Sequence, residues 1–347
     1  MRGQGKPDMN LKTEITKLHY NKEAKGFLFN LLKFCSLFYG AGSSFKNFLY
    51  DKSILKPAKV NAYVISVGNL TTGGVGKTPV VAEIAKYFVE QGEKPAIISR
   101  GYGGKLNNKK INVISDGINL YHKADMAGDE PYWLAVNLNM CAVLTCSNRA
   151  KAAKYAIEKL GATKIILDDG FQHRKLHRDL NLVLVDFEKM FGNENLLPAG
   201  PLREGTEGFK RIDKLIIVSK NTDHTKAEKL ARIMEKKQGI KTQICKVEPD
   251  YIYNIVTGEH LEKGVEITAL SAIGQPEQFY KFLESDYKIN DKVTFDDHHQ
   301  YTLEDIENLE GNIVTTEKDA VKLSLLGKTN IYALKLKTVL DVGAFLE

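Results

Sequence analysis

Short apolar runs alternate with amphipathic segments along the chain from residue 60 to residue 218. The runs are rich in Val and Ile, which is typical of strands buried on both faces of a parallel sheet. Between them, residues 78–91 and 148–160 carry apolar side chains at helical spacing, and Gly92 is a common helix terminator. The pattern predicts an α/β fold, a mostly parallel sheet flanked by helices. The predicted strands are residues 60–67, 95–99, 140–146, 164–167, 180–185 and 214–218.

The pattern changes beyond about residue 246. Two short extended pieces between residues 251 and 265 surround Thr257-Gly258 and predict a hairpin that links to a smaller α/β unit. The elements predicted in that unit are strands at 267–271 and 312–315 and a helix at 276–283. The predicted regions are residues 1–59, a core over residues 60–250, and a hairpin linker with a C-terminal subdomain over residues 251–347.

The densest apolar stretch lies near the N-terminus, at residues 27–39. It is shorter than the ~20 apolar residues that span a bilayer, and Lys33 interrupts it. Two interpretations stay open: a helix that packs on the core, or a basic amphipathic helix that lies in the face of an anionic membrane. About the first 20 residues are predicted to be a mobile polar tail. The apolar face of the predicted helix would carry Phe27, Leu28, Leu31, Phe34, Cys35 and Phe38.

Positive charge is concentrated in this same N-terminal region. The net charge is +6, and the first 59 residues hold eleven Lys or Arg against four Asp or Glu, so the rest of the chain is close to neutral. A chain that is basic throughout would suggest nucleic acid, whereas this distribution predicts no nucleic-acid partner. The 43% hydrophobic and 27% charged content is typical of a folded globular protein. The four cysteines form no CxxC pair and predict neither a zinc site nor a disulfide framework.

Residues 71–78 have the strand–loop–helix context that a P-loop requires. The glycines would let backbone N–H groups turn toward phosphate oxygens, and the following helix adds the positive end of its dipole. Lys77 would reach the β- and γ-phosphates of ATP, and the Thr78 hydroxyl would bind Mg²⁺. One departure is Thr71, where the motif expects glycine. The predicted ATP-binding residues are Thr71, Thr72, Gly73, Gly74, Val75, Gly76, Lys77 and Thr78.

A P-loop alone indicates nucleotide binding, so the acidic residues must say which chemistry follows. Asp168 and Asp169 end a predicted strand, where a parallel sheet places carboxylates beside the P-loop to hold Mg²⁺ or its waters. A simple acidic turn is the alternative. Asp129 and Glu130 precede Pro131, which suits a first helical turn, so they are either site residues or acids favoured by the helix dipole.

Two further motifs carry groups suited to phosphate or proton chemistry. Arg203 and Glu204 end a stiff Pro-Gly loop, where the arginine would bind a phosphate or form a surface ion pair. His298 follows Asp297, and a carboxylate beside imidazole suits base catalysis as well as a solvated turn. The sequence assigns no role to residues 315–319, which follow a predicted strand.

Seven motifs, taken together and in order, resemble the tetraacyldisaccharide 4′-kinase family of lipid A biosynthesis. The resemblance extends from about Phe27 to the C-terminus. The motifs are SVGNLTTGGVGKTP (66–79), SRGYGGK (99–105), GDEP (128–131), DDGFQH (168–173), LLPAGPLRE (196–204), FDDHHQY (295–301) and TTEKDAVK (315–322).

The resemblance implies transfer of the ATP γ-phosphate to the 4′-hydroxyl of an acylated glucosamine disaccharide 1-phosphate. It also implies a P-loop core with a smaller C-terminal subdomain, and an N-terminal helix that meets the cytoplasmic face of the bacterial inner membrane. By motif, Asp129 would be the catalytic base, paired with His298, and Lys77 would complete the catalytic set. The implied metal ligands are Thr78, Glu130 and Asp168, and the other implied site residues are Asp169, His173, Arg203 and Glu204.

Two other functions remain as alternatives. One is a membrane-associated P-loop ATPase switch, whose loop resembles GGVGKT; such loops carry a lysine before the glycine pair, where this chain has Thr72. The other is a non-catalytic nucleotide-binding module that recruits partners to a membrane, for which the acids and His298 would be needless. A switch would hydrolyse ATP without a lipid acceptor, and a binding module would turn over neither.

Overall fold

The computed structural model describes residues 11–220, 223–274, 276–296 and 299–346. Within these residues twelve strands form one sheet. Their order across the sheet is β10-β9-β11-β12-β8-β7-β6-β1-β5-β2-β4-β3. The strands are β1 (Tyr63–Asn69), β2 (Pro95–Ser99), β3 (Asn112–Ser115), β4 (Ala142–Thr145), β5 (Lys164–Asp168), β6 (Leu180–Asp186), β7 (Lys214–Ser219), β8 (Lys241–Asn254), β9 (Glu266–Ser271), β10 (Lys288–Thr294), β11 (Asn312–Thr316) and β12 (Ile331–Val339).

Helices cover both faces of this sheet. The α-helices are α1 (Leu11–Tyr20), α2 (Phe27–Asp51), α3 (Lys77–Glu90), α4 (Ala124–Ala127), α5 (Asp129–Asn137), α6 (Arg149–Leu160), α7 (Thr225–Gln238), α8 (Pro276–Glu284), α9 (Glu317–Leu323) and α10 (Gly343–Leu346). Short 3₁₀ helices lie at Thr206–Arg211 and Ser324–Leu326.

The strands from β7 to β4 form the parallel core that the apolar runs predict. Helix α3 buries Val80, Val81 and Ile84 on one face of the sheet, and α6 buries Ala152 and Ala156 on the other. Strand β3 was not predicted, because it is a four-residue antiparallel edge strand. The predicted fold class, a P-loop core with a mostly parallel sheet and a smaller C-terminal α/β part, is confirmed.

Strand β8 joins the two parts of the sheet. Its first residues pair in parallel with β7, and its later residues pair antiparallel with β12. The predicted boundary between Asp250 and Tyr251 falls inside this strand. In place of a full hairpin around Thr257-Gly258, the described residues show one isolated antiparallel bridge, between Tyr253 and His260. Strands β9 to β12 run parallel to one another and pack with α8 and α9.

The N-terminal helices differ from the sequence prediction in two ways. Residues 11–20 form α1 with a buried His19, so the predicted mobile tail is wrong for this segment. Helix α2 turns Phe29 and Ser36 toward the protein, while Phe34 and Phe38 are 58% and 67% exposed. The interpretation in which the predicted apolar face packs on the core is therefore wrong. Among the described residues, every helix is too short or too polar to cross a bilayer.

Candidate active site

The glycine loop between β1 and α3 adopts a conformation that depends on two of its glycines. Gly73 and Gly76 have φ angles of 105° and 97°, in a region that side-chain-bearing residues rarely occupy. A Cβ atom on Gly76 would also lie 3.4 Å from Cγ1 of Val218 on β7. Thr71 does not have a positive φ, so this position tolerates a threonine in place of the glycine of the motif. The loop therefore turns its backbone as a P-loop does.

Three neighbouring segments hold the loop from outside. The Tyr20 hydroxyl donates to the carbonyl of Thr72 at 3.2 Å, which ties α1 to the loop. The Thr72 N–H donates to the carbonyl of Pro201 at 2.8 Å. From the end of β7, Lys220 Nζ donates to the carbonyl of Gly74 at 3.2 Å. The loop is thus fixed by elements that come from three distant parts of the sequence.

Lys77 and Asp169 connect the loop to the end of β5. Strands β1 and β5 are parallel neighbours, with Val67 opposite Asp168, so their carboxyl ends meet at one edge. Lys77 Nζ lies 3.5 Å from Oδ1 of Asp169, and Arg203 Nη1 donates to both carboxylate oxygens of Asp169 at 2.8 Å. Burial alone would raise the pKa of Asp169, but Lys77 and Arg203 outweigh burial and lower it to about 2. Asp169 therefore carries its negative charge between two cations.

The backbone at Asp169 is strained. Its φ of 51° is unusual for a residue other than glycine, and such outliers gather at functional sites. Arg149, which is 5% exposed, donates from Nη2 to the carbonyls of Asp168 and Asp169 at 3.2 Å. Arg149 was not singled out from the sequence, although it directly follows the turn after β4, at the same sheet edge.

Asp168 and Glu130 bring two carboxylates toward each other. Asp168 is 3% exposed, and burial together with the negative charge of Glu130 raises its pKa to about 7. A buried carboxylate that feels the negative charge of a second one fits a hard cation with oxygen ligands. Within the described residues no group of three His, Cys, Asp or Glu side chains forms a metal site. A site with only two carboxylates is compatible with Mg²⁺, which binds through one or two carboxylates, a hydroxyl such as that of Thr78, waters and phosphates.

Asp129 begins α5, at a position set by a close backbone contact. Gly128 has a φ of 93°, and a Cβ atom there would lie 2.6 Å from the carbonyl oxygen of Tyr102 in the SRGYGGK loop. The Asp129 carboxylate lies 3.0 Å from Nζ of Lys322, which comes from α9 in the C-terminal part. His298, the proposed partner of this carboxylate, lies outside the described residues, as does Asp297.

The TTEKDAVK motif, to which no role was assigned, carries Lys322 and sets its position. Thr316 caps α9, since its hydroxyl accepts from the Asp319 N–H at 3.2 Å. The Asp319 carboxylate accepts from the Ala272 N–H at 3.0 Å and anchors the helix to the end of β9. Lys322, the last residue of the quoted motif, was not singled out from the sequence, because nothing in the motif indicates its contact with Asp129.

Glu204, a further predicted site residue, lies in a buried hydrogen-bond network. Glu204 is 3% exposed, pairs closely with Arg211, and accepts from Gln172 at 2.9 Å and from Asn47 of α2 at 3.2 Å. The network ties the LLPAGPLRE loop and α2 to the DDGFQH motif. The oxygens of the buried Glu204 carboxylate are thus bonded to Arg211, Gln172 and Asn47.

His173 lies beside this network at a basic cleft of about 340 Å³. Burial and the charge of Arg149 lower the pKa of His173 to about 4, so the imidazole is neutral at pH 7. The Nε2 atom of His173 and the Nε atom of Arg149 are buried and lack a hydrogen-bond partner among the described residues. The residues that line the cleft include Lys46, Tyr50, Arg100, Arg149, His173 and Lys175. Such a surface suits an anionic ligand.

Comparisons with known proteins agree on one family. A family profile described as tetraacyldisaccharide-1-P 4′-kinase matches residues 28–347. The tetraacyldisaccharide 4′-kinase of Syntrophus aciditrophicus is 37% identical over 319 residues, covering 86% of this chain and 85% of that protein. The tetraacyldisaccharide 4′-kinase of Francisella tularensis subsp. novicida is 37% identical over 300 residues, covering 84% and 89%. The crystal structure of LpxK from Aquifex aeolicus in complex with ATP has a TM-score of 0.73 and 34% identity, covering 92% of this chain and 97% of that one.

Proposed function

The chain belongs to the tetraacyldisaccharide-1-P 4′-kinase family, and we propose how its residues carry out that family's reaction. It is an ATP-binding P-loop kinase, a transferase that phosphorylates the 4′-position of an acylated disaccharide 1-phosphate in lipid A biosynthesis. The kinase is favoured over the ATPase-switch alternative. The observation that carries the proposal is the meeting of Lys77, Asp169 and Arg203 at the carboxyl ends of β1 and β5.

Residues 71–78 would bind the ATP phosphates. Their backbone N–H groups and the N-terminus of α3 supply partial positive charge, and Lys77 supplies a full charge to the β- and γ-phosphates. Asp169, held by Arg203, keeps Lys77 directed toward this edge. Preorganised positive charge is the main source of rate in phosphoryl transfer, because the protein contributes little covalent chemistry.

Thr78, Glu130 and Asp168 would hold Mg²⁺. When bound, the ion neutralises charge on the β- and γ-phosphate oxygens. The buried carboxylate of Asp168, whose pKa is raised by burial and by Glu130, gains a counter-charge in that state. Arg149 fixes the backbone on which Asp168 stands.

Asp129 would act as the general base, paired with His298. The 4′-hydroxyl oxygen attacks the γ-phosphorus, the bond to the bridging oxygen of ADP breaks, and the hydroxyl proton passes to the Asp129 carboxylate. An aspartate alone is a weak base toward a sugar hydroxyl, so a histidine that relays or orients the proton strengthens it. We further propose that residues 60–250 carry the nucleotide while residues 251–347 close over it and exclude water, a competing acceptor.

Helix α2 would bring the enzyme to its lipid acceptor. Its exposed Phe34 and Phe38 lie on a helix flanked by lysines, which suits peripheral binding at an anionic surface. We propose that this surface is the cytoplasmic face of the inner membrane, and that the basic cleft beside α2 receives the phosphorylated disaccharide. Because the excess positive charge is confined to residues 1–59, we propose no nucleic-acid partner.

The test is transfer of labelled γ-phosphate from Mg·ATP to a lipid A disaccharide 1-phosphate in detergent micelles. We expect transfer by the wild type, and losses of roughly a hundredfold or more in Lys77→Ala, Asp129→Ala and His298→Ala. Lys86→Ala is the matched control, since Lys86 pairs with Glu83 on the exposed side of α3. ATP hydrolysis at the same rate with and without lipid, and no labelled lipid, would instead identify an ATPase switch.

A further inference from the structure

Lys322 is a buried cation that touches two parts of the proposed catalytic apparatus. Its side chain is 6% exposed and that of Asp129 is 11% exposed. Lys322 Nζ lies 3.0 Å from Oδ2 of Asp129 and donates to the carbonyl oxygen of His299 at 3.1 Å. One ammonium group from α9 therefore contacts both the GDEP motif of the core and the residue that follows His298 in the chain.

The position of this ammonium is fixed by the helix that carries it. Thr316 caps the first turn of α9, and Asp319, on the same helix, accepts from the Ala272 N–H and from the Thr316 hydroxyl at 2.8 Å. Ala320 and Leu323 are buried beside it. Lys322 is thus presented by an anchored helix and has little freedom to follow a displaced partner.

Stability alone does not account for such a pair. Two charges taken out of water pay a desolvation cost that their attraction barely repays, so apolar residues of similar size commonly serve stability as well or better. A buried pair does fix the geometry of its members, because any displacement leaves a charge without its partner. The pair joins the first residue of α5 to the C-terminal part, where geometry matters for proton transfer.

A second lysine at the same contact between α5 and α9 offers a comparison. Lys335 on β12 pairs with Glu317 of α9 at 2.6 Å, and its Nζ lies 6.0 Å from the centroid of the Trp133 ring on α5. Its side chain is 28% exposed. Lys335 therefore links the same two helices as Lys322, but its ion pair is with Glu317 and not with Asp129.

We propose that Lys322 is a positioning residue of the phosphoryl-transfer site. Its ammonium orients the Asp129 carboxylate toward the acceptor hydroxyl and holds the His299 backbone. In this role Lys322 acts through Asp129. The inference rests on the proposed role of Asp129 as the base.

The test compares Lys322→Met, Lys322→Arg and Lys335→Met for kcat, for KM toward ATP and acceptor, and for thermal unfolding. For Lys322→Met we expect kcat to fall roughly 10- to 100-fold while KM for ATP stays within about threefold, since a misplaced group costs on this order. Lys322→Arg keeps the charge and should recover most of the loss. Lys335→Met should keep kcat within about threefold, because the Asp129 contact is intact.

A double-variant cycle separates positioning from a structural role. In an Asp129→Asn background, Lys322→Met should change kcat by less than about twofold, because its route to the reaction has been removed. An equal loss in both backgrounds, or a folded Lys322→Met with wild-type kcat, would overturn the inference. If Lys322→Met does not fold, Lys322→Gln, which also removes the charge, takes its place in the cycle with the same criteria. A wild type without phosphoryl transfer would refute the proposed function itself, which is a different result.

Discussion

The P-loop and Asp129 reach the same site by different routes. The P-loop is one continuous segment between β1 and α3, and two glycines set its shape. Asp129 owes its position to distant partners: Gly128 packs under the carbonyl of Tyr102, and Lys322 arrives from α9. The turn of the P-loop is therefore set by its own glycines, with Tyr20, Pro201 and Lys220 as outer supports, whereas Asp129, the proposed base, is positioned by tertiary contacts alone. Changes on the base side should act on kcat, and changes in the loop on nucleotide binding.

The largest effect is expected from a methyl group at Gly128. In Gly128→Ala the new Cβ would meet the carbonyl of Tyr102 at 2.6 Å, so α5 and the Asp129 carboxylate must shift. A displacement of about 1 Å at a catalytic group costs about a hundredfold, so we expect a loss of this size in kcat with little change in KM for ATP. Gly103→Ala is the control: Gly103 has a φ of 79°, but its Cβ would meet nothing within 4 Å. Equal losses in both variants would assign the effect to backbone strain and not to the contact.

The same division explains what the sequence could predict. β2 was predicted at residues 95–99 and α3 at residues 78–91, within one residue of their observed bounds, because apolar spacing, Gly92 and the glycine loop are local signals. α1 was missed because its order depends on long-range bonds, such as that of His19 Nε2 with the carbonyl of Pro198. No local pattern marks such partners.

The candidate site divides in the same way. The motif acids and Arg203 could be named from the sequence because each ends a strand or a loop. Their pairing could not be predicted, because nothing near Asp169 in the sequence indicates its contacts with Lys77 and Arg203. Lys322 could not be assigned to Asp129 for the same reason, since a helix carries many lysines and only the packing of α9 on α5 selects one.

A smaller effect, on nucleotide binding, is expected at Gly73. Its φ of 105° makes an alanine there strained by about 1–3 kcal/mol, which corresponds to roughly a tenfold or greater rise in KM for ATP. Gly74→Ala is the control, because a Cβ at Gly74 meets nothing within 4 Å and no positive φ is present. kcat at saturating ATP should change less than KM. A fall in kcat with unchanged KM would contradict the view that this loop acts on binding.

A change on α2 should alter neither side of the site. Replacing the exposed Phe34 and Phe38 by serine removes apolar surface that we propose enters the membrane face. Binding to anionic vesicles should weaken roughly tenfold, while KM for ATP stays unchanged. This double variant is cleaner than deletion of α2, because Ser36 and Tyr39 of that helix bond to the loop that carries Arg203. Undiminished vesicle binding would refute α2 as the membrane contact.

The smallest effect should come from Tyr20, which tests whether α1 supports the P-loop. Tyr20→Phe removes the hydrogen bond to the carbonyl of Thr72 and leaves the ring in place over its neighbours. A single bond of this kind contributes about 0.5–1.5 kcal/mol, so KM for ATP should rise about threefold, with kcat unchanged. Tyr121→Phe is the control, since Tyr121 bonds to Asp116 in the turn after β3, at the opposite edge of the sheet. If KM responds to Tyr20 but not to Tyr121, the tertiary contacts of the loop contribute to nucleotide binding, and the contrast with Asp129 becomes one of degree. If neither variant changes KM, the loop holds its shape through its glycines alone.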